Sequence, residues 1–418
     1  MELMVERDMS ERPRRVRTAE PIRRQGVIRF EIPEDTLPPD HSARLIWQVL
    51  GTLDLSAFTA EAKAVDGRAG RDVLSPTMML TLWLYAISTG VGSAREIARR
   101  TKSDDAFRWI VGDKEVGHAA LSAFRVGHWT ALEKLMTDVL GVLLHKGLVS
   151  LERAAQDGTR VRASASARSF RREATLLECR EQAALHVKAV LADPDPEATE
   201  AEKLARIAAA LDDQRRVEAA IATVQALRDE GKEEPRASTT DADARVMKMP
   251  DGGFRPGYNI QLATAGSELG GPRTIVGLLV TNTGSDMGSV TPMLEDIKAR
   301  TGTLPGQLLA DANHAKHSCI EGATRAGVEP LIAIPKHEQC ATKTVSREVD
   351  AWRERMKTDE GKRAYRARAG LCELSNAHLK CHHGTAAVLV RGLAKVTCVA
   401  LLGAIAANVL AHATAWLA

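Results

Sequence analysis

Aromatic side chains are scarce in this chain, at 4% of residues, while alanine and arginine are abundant. A GC-rich genome produces the same bias, so the scarcity carries no functional signal. Cysteine is also sparse. Its six copies (Cys179, Cys319, Cys340, Cys372, Cys381, Cys398) form no C-x-x-C pair, which argues against a zinc ribbon or a disulfide framework and fits a reducing cytosol. Net charge is only +3, so the chain is not globally basic and any grip on nucleic acid must come from local patches. The N-terminus is charged and lacks an apolar h-region, and no secretory signal is expected. One stretch, Val396 to Ala418, has the length and apolarity of a membrane span. It also holds Asn408, His412 and several small residues, and a buried helix packed on a sheet, with no membrane, is the expectation.

What is present is a globular composition, 44% hydrophobic and 27% charged, on a chain of 418 residues, long enough for two or three domains. Residues 1–32 read as a flexible basic arm, either a solvated tail or a phosphate contact. Residues 33–148 read as helical. Ala43 to Leu50 is one short helix, and Ser75-Pro76 starts another with Pro at its first position. Gly90 to Ser93 breaks it, and Ser93-Ala94-Arg95-Glu96 has the form of a capping box. The pair reads equally as a helix-turn-helix, with Arg95, Arg99 and Arg100 near a DNA backbone, or as a plain helical hairpin. Residues 173–234 contain no Trp, Tyr or Phe, and carry Leu204, Ile207, Leu211, Val217, Ile221, Val224 and Leu227 at near-heptad spacing. An antiparallel helical hairpin is expected there, broken at Asp193-Pro194-Asp195-Pro196. It lies as an insertion between 149–172 and 235–418, where the pattern turns to strands: β-β-β-α-β-α-β-α, an α/β core. Ile275 to Val280 is the expected central strand, and Ser285-Asp286 the expected cap of a helix over Val290 to Arg300.

Three acids occupy informative places. Asp157 sits in Gln156-Asp157-Gly158-Thr159-Arg160-Val161-Arg162, a period-two pattern with arginines and no further acid until Glu173. An Asp-Gly pair is equally the commonest hairpin turn, so this stretch alone does not decide. Asp311 closes the short apolar strand Leu308 to Asp311. Glu373 is the only acid between Gly361 and Gly392, on a predicted helix carrying Lys362, Arg363, Arg366, Arg368 and Lys380, where Glu373, Ala377 and Lys380 share one face. A salt-bridged surface helix explains a lone acid in a basic field less well than a ligand beside bound phosphates. Strand ends and a following helix bring distant carboxylates to one sheet edge, and three carboxylates with open positions suit Mg²⁺ or Mn²⁺. Two such ions would hold a phosphodiester's attacking and leaving oxygens in line. The His314/His317 and His378/His382/His383 groups match no zinc spacing. Asp241 and Asp243 read as a substrate-positioning pair or as local turn formers.

In order and spacing, a set of short stretches resembles the DDE transposases of bacterial insertion sequences, in particular the eleven-eighty-two group of the insertion-sequence-four-like clan. In the helical part they are Ser75-Pro76-Thr77-Met78-Met79-Leu80, Gly92-Ser93-Ala94-Arg95-Glu96-Ile97 and Leu121-Ser122-Ala123-Phe124-Arg125. In the core they are Asp157-Gly158-Thr159, Asp241-Ala242-Asp243-Ala244-Arg245, Gly257-Tyr258-Asn259-Ile260-Gln261, Leu309-Ala310-Asp311, Glu373-Leu374-Ser375-Asn376-Ala377 and Val390-Arg391-Gly392-Leu393. The resemblance implies an RNase H-like mixed-sheet catalytic core with a helical hairpin insertion, preceded by an all-α N-terminal DNA-binding domain. It implies a triad of Asp157, Asp311 and Glu373 holding two Mg²⁺ or Mn²⁺ ions, and a Tyr/Arg/Glu/Lys signature in Tyr365, Arg368, Glu373 and Lys380. DNA contacts are expected from Arg95, Arg160, Arg162, His314, Tyr365, Arg368 and Lys380. The implied activity is cleavage of double-stranded DNA at terminal inverted repeats and strand transfer to a target, by a homodimer on the cytoplasmic nucleoid. Two other readings stay open: a metal-dependent nuclease without strand transfer, and a transposase-derived DNA-binding protein that has lost catalysis. Four residues separate Arg368 from Glu373 where the clan usually has three, and Asn313-His314 stands where it usually has Gly-Tyr.

Overall fold

A computed structural model describes residues 32–60, 73–192, 198–266, 271–339, 344–382 and 386–418. The basic arm expected over 1–32 lies outside the described residues except for its last, as does the Asp193–Pro196 break. The N-terminal part is helical throughout its described residues: α1 (Ser42–Gly51), α2 (Pro76–Ser88), α3 (Ala94–Arg100), α4 (Asp105–Val111), α5 (His118–Gly127) and α6 (Trp129–His145). Ser75 Oγ accepts from Met78 N at 3.5 Å and Pro76 takes the first helical position, so α2 starts where expected. Every residue of α2 from Met78 to Ile87 is buried, as befits a helix apolar on all sides. Only half of the capping box at Ser93 forms. Ser93 Oγ accepts from Glu96 N at 3.4 Å, but the Glu96 carboxylate is taken by Arg99 and Arg100, which outcompete a neutral backbone N–H.

The core strands are β1 (Arg153–Arg162), β4 (Arg245–Lys248), β5 (Phe254–Ala265), β6 (Thr274–Thr281), β7 (Gln307–Ala310) and β8 (Glu329–Ile332). They make one mixed sheet. β5 runs antiparallel to β1, with β4 and β6 both along its other side; β7 is parallel to β1, and β8 parallel to β7. Helices α9 (Val290–Thr301), α10 (His317–Arg325), α11 (Arg347–Lys357) and α12 (Asp359–Arg368) follow in alternation with the last strands. The order of elements is the one expected except for the additional strand β4, and the mixed α/β architecture is consistent with a nuclease-like core. Ile275 to Val280, expected as a central strand, belongs instead to an edge strand, β6. It reads as apolar because helices cover it. Met293 and Ile297 of α9 press on Gly277, where a Cβ would come within 3.0 Å of both. α14 (Leu393–Leu417) packs on β6 as well. There the Asn408 amide pairs with the β6 backbone, Oδ1 accepting from Ile275 N and Nδ2 donating to Ile275 O, both at 2.8 Å. α14 is long and apolar enough to cross a membrane, yet it packs against α1, α2, α5, α6 and β6, with Asn408 fully buried.

The insertion is α7 (Glu173–Ala192) and α8 (Glu200–Asp229), entered and left through a two-stranded neck of β2 (Phe170–Arg171) and β3 (Ala237–Ser238). Its core is small and separate: Leu176, Val217, Ala220, Ile221, Val224 and Ala237. The heptad stripe is buried only near the neck. Leu204 is 65% exposed and Leu211 41% exposed.

Candidate active site

Asp157 and Asp311 come together through strand register. β1 and β7 pair in parallel at Arg153–Gln307, Ala154–Leu308 and Ala155–Leu309. Carried two residues past the last pair, that register sets Asp157 beside Asp311, just beyond the end of β7. Asp157 Oδ1 accepts from Gly158 N at 2.9 Å. Asp311 opens a short turn: Oδ1 accepts from Asn313 N at 3.0 Å and faces His314 Nδ1 at 2.8 Å, while Oδ2 accepts from Asn313 Nδ2 at 3.0 Å.

Arg368 joins the third acid to this pair. Its Nη2 lies 3.6 Å from Asp157 Oδ2 and its Nη1 3.5 Å from Glu373 Oε1, with Nε buried and without a hydrogen-bond partner. The local backbone explains how an acid five positions on reaches the same guanidinium. Ala369–Glu373 is π-helical, Leu374–Ala377 (α13) α-helical and His378–His382 π-helical again. A π turn closes at i+5, so it absorbs the extra residue between Arg368 and Glu373. Glu373, Ala377 and Lys380, expected on one face, all lie on the accessible side of this stretch, while Leu371, Cys372, Ser375, Asn376 and Leu379 are buried. Tyr365 is half-buried nearby. Burial raises its phenol, and Arg368 opposes this while the charges of Asp311 and Asp157 add to it.

The electrostatics of the two aspartates diverge. Burial pushes the Asp157 carboxyl up, with Arg368 opposing and the neighbouring Asp311 adding to the rise. Burial acts on Asp311 too, but the hydrogen bond and charge of His314, the Asn313 N–H and Arg368 outweigh it, and the net direction is down. The site thus keeps Asp311 ionised and makes Asp157 the more easily protonated partner. Hard oxygen donors at Asp157 and Asp311 suit a divalent cation, and the Arg368 guanidinium lies between Asp157 and Glu373 as a positive charge would. Glu373 itself, 62% exposed, is held at the far side of that guanidinium; among the described residues no three His, Cys, Asp or Glu side chains converge closely enough to hold a metal.

Several expected DNA contacts sit differently. His314 is fully buried, its ring between Asp311 and Gln261, so no edge is left for a phosphate. Arg160 turns into the protein, donating to Gly284 O at 2.8 Å and lying 3.6 Å from Asp286. Arg162 is exposed, 3.4 Å from Asp251. Arg95 is exposed at the start of α3, while Arg99 and Arg100 are tied to Glu96. Lys380 lies on the second π turn, half-exposed. Asp241 and Asp243 stand at the α14 N-terminus rather than at the acids: Asp241 accepts from Tyr258 Oη at 2.8 Å and Gly392 N at 3.1 Å, and Asp243 from Leu393 N at 2.8 Å.

One set of functional candidates went unread in the sequence. Asp286, expected to cap α9, does not; the N-cap is Ser289, whose hydroxyl donates back to Asp286 O at 2.7 Å. The Asp286 carboxylate instead accepts from Asn259 Nδ2 at 2.7 Å and Gln261 Nε2 at 2.5 Å. The available signal was Asn259 and Gln261 themselves, amides at alternate positions of the strand, both buried.

The chain matches no curated protein and no solved structure. Two family models do match it. One, described as "Transposase domain (DUF772)", covers residues 31–126, the helical part with Arg95; the other, "Transposase DDE domain", covers residues 323–411, which include Tyr365, Arg368, Glu373 and Lys380. Matches at both ends of the chain, flanking a mixed sheet that sets two aspartates side by side, support a DDE transposase.

Proposed function

We propose that the chain is an insertion-sequence DNA transposase that binds terminal inverted repeats and, through Asp157, Asp311 and Glu373, cleaves DNA strands and joins them to a target. The observation that carries this reading is the parallel register that sets Asp157 beside Asp311, with one guanidinium reaching both Asp157 and Glu373. Asp157 and Asp311 would hold Mg²⁺ or Mn²⁺, with Glu373 closing the site once Arg368 releases it. The bound ions would supply charge neutralisation on the phosphodiester and activation of the attacking oxygen. The chain's own residues do the rest. His314 and Asn313 hold Asp311 ionised and oriented. Arg368, freed from Asp157 and Glu373, has a bidentate fork suited to a DNA phosphate. The mixed π and α winding of 369–382 keeps Glu373 on the side of Arg368 despite the longer spacing. Two DNA ends must be held together for joining, so the active complex is read as a homodimer.

The test is a strand-transfer assay with full-length protein, Mg²⁺ and duplexes carrying the inverted repeats that flank the gene. Wild-type protein is expected to nick and then join. Asp157→Asn, Asp311→Asn and Glu373→Gln should each lower the rate by about 10³-fold or more. Nicking without joining would reassign the protein as a nuclease, and full activity in Asp311→Asn would overturn the triad.

A further inference from the structure

Asp286 lies 7% exposed on the face of the sheet opposite Asp157, where a carboxylate is costly unless it is paired. Its partners are Asn259 Nδ2, Gln261 Nε2 and, at 3.6 Å, Arg160. A carboxylate only accepts, so it fixes which way the Gln261 amide points. With Nε2 committed to Asp286, Gln261 Oε1 must face away, and it lies 3.2 Å from His314 Nε2 and 3.2 Å from Gln156 Nε2. His314 Nε2 is therefore a donor, and because the Asp311 carboxylate only accepts, Nδ1, 2.8 Å from Asp311 Oδ1, must donate as well; the two bonds lock the fully buried ring. Asp311 stands just beyond β7, where the backbone ladder no longer holds it.

We propose that Asp286 is a positioning residue for the Asp311 carboxylate, acting through Gln261 and His314. The inference rests on the reading of Asp157 and Asp311 as metal ligands. Outer hydrogen bonds of this kind set ligand orientation, and losing one costs about 10–100-fold in metal affinity. The packing supports a designed contact. A Cβ on Gly158, the residue after Asp157, would stand under 3.0 Å from Gln261 Nε2, Asp286 Oδ1 and Asn259 Oδ1, so the relay lies directly against the strand that carries the first acid.

The probe is Mn²⁺ alone, titrated into the full chain, with free Mn²⁺ read by electron paramagnetic resonance and stability by urea unfolding. Asp286→Ala should weaken Mn²⁺ binding by about 10-fold or more, because both amides donate to one oxygen, Asp286 Oδ1, which this variant removes. The double variant Asp286→Asn/Gln261→Glu reverses the polarity of that link: the amide introduced at position 286 donates to one oxygen of the carboxylate introduced at position 261, and His314 donates to the other. It should regain most of the lost affinity, whatever its stability. Wild-type affinity in folded Asp286→Ala overturns the relay, and so does a double variant that binds as weakly as Asp286→Ala. If wild type and Asp311→Asn bind Mn²⁺ alike, the metal-site reading itself fails and the relay with it.

Discussion

At the level of single residues, Gly158 shows how tightly the strand of the first acid is built. Gly158→Ala would drive a methyl group into three locked polar groups, whereas Gly141→Ala on α6 meets nothing within 4 Å. We expect the first to lower stability by about 1–3 kcal/mol and the second to raise it by about 0.5–1 kcal/mol, read by urea unfolding. The acids that the fold brings near Arg368 each stand out locally in the sequence: Asp157 ahead of the arginines of its own strand, Asp311 at the end of an apolar run, Glu373 alone among bases. Asp286 was not, because Ser-Asp before a helix is a local capping signal while its actual partners lie 25 and 27 residues away on another strand. Arg160 and His314 were misplaced for the same reason. Sequence shows that a group is charged or polar, but not which groups satisfy it once it is buried.

At the level of elements, the π turn at 369–373 is the feature that pattern reading could not supply, since helical periodicity assumes 3.6 residues per turn. Removing Gly370 would leave Glu373 four positions after Arg368, on the same face of an ordinary helix. That variant should retain strand cleavage, whereas an alanine inserted after Gly370 should abolish it; a cleavage assay on both decides. α14 illustrates the opposite outcome. Asn408 and His412 marked it as more than a greasy span, and both make buried contacts to β6 or its start, His412 through Thr274 Oγ1 at 2.7 Å. Asn408→Leu would strand the Ile275 N–H and C=O in the interior, and should cost at least about 2 kcal/mol in urea unfolding. Burial lowers His412 below the usual histidine range. The unfolded chain therefore binds the extra proton first, so this contribution to stability is complete above the ordinary pKa and is lost as pH falls through the depressed one. Urea midpoints at pH 7.5 and 5.5 should differ less in His412→Gln than in wild type.

At the level of the whole molecule, the order of elements was readable because hydrophobic periodicity switches from helical to alternating at the expected places, while the way the parts join was not. The expected boundary near residue 148 is crossed by one continuous apolar core running from α1 through α14 to the sheet. The insertion, in contrast, has its own cluster and a neck only two residue pairs wide. Replacing residues 172–236 by a short glycine-rich linker should lower helix content by circular dichroism yet leave the main thermal transition near its original midpoint. α14 works as a keel to which both the early helices and the late strand are fastened. Limited digestion should accordingly free the hairpin as a discrete fragment, while a stop codon anywhere along the keel should leave neither half able to stand.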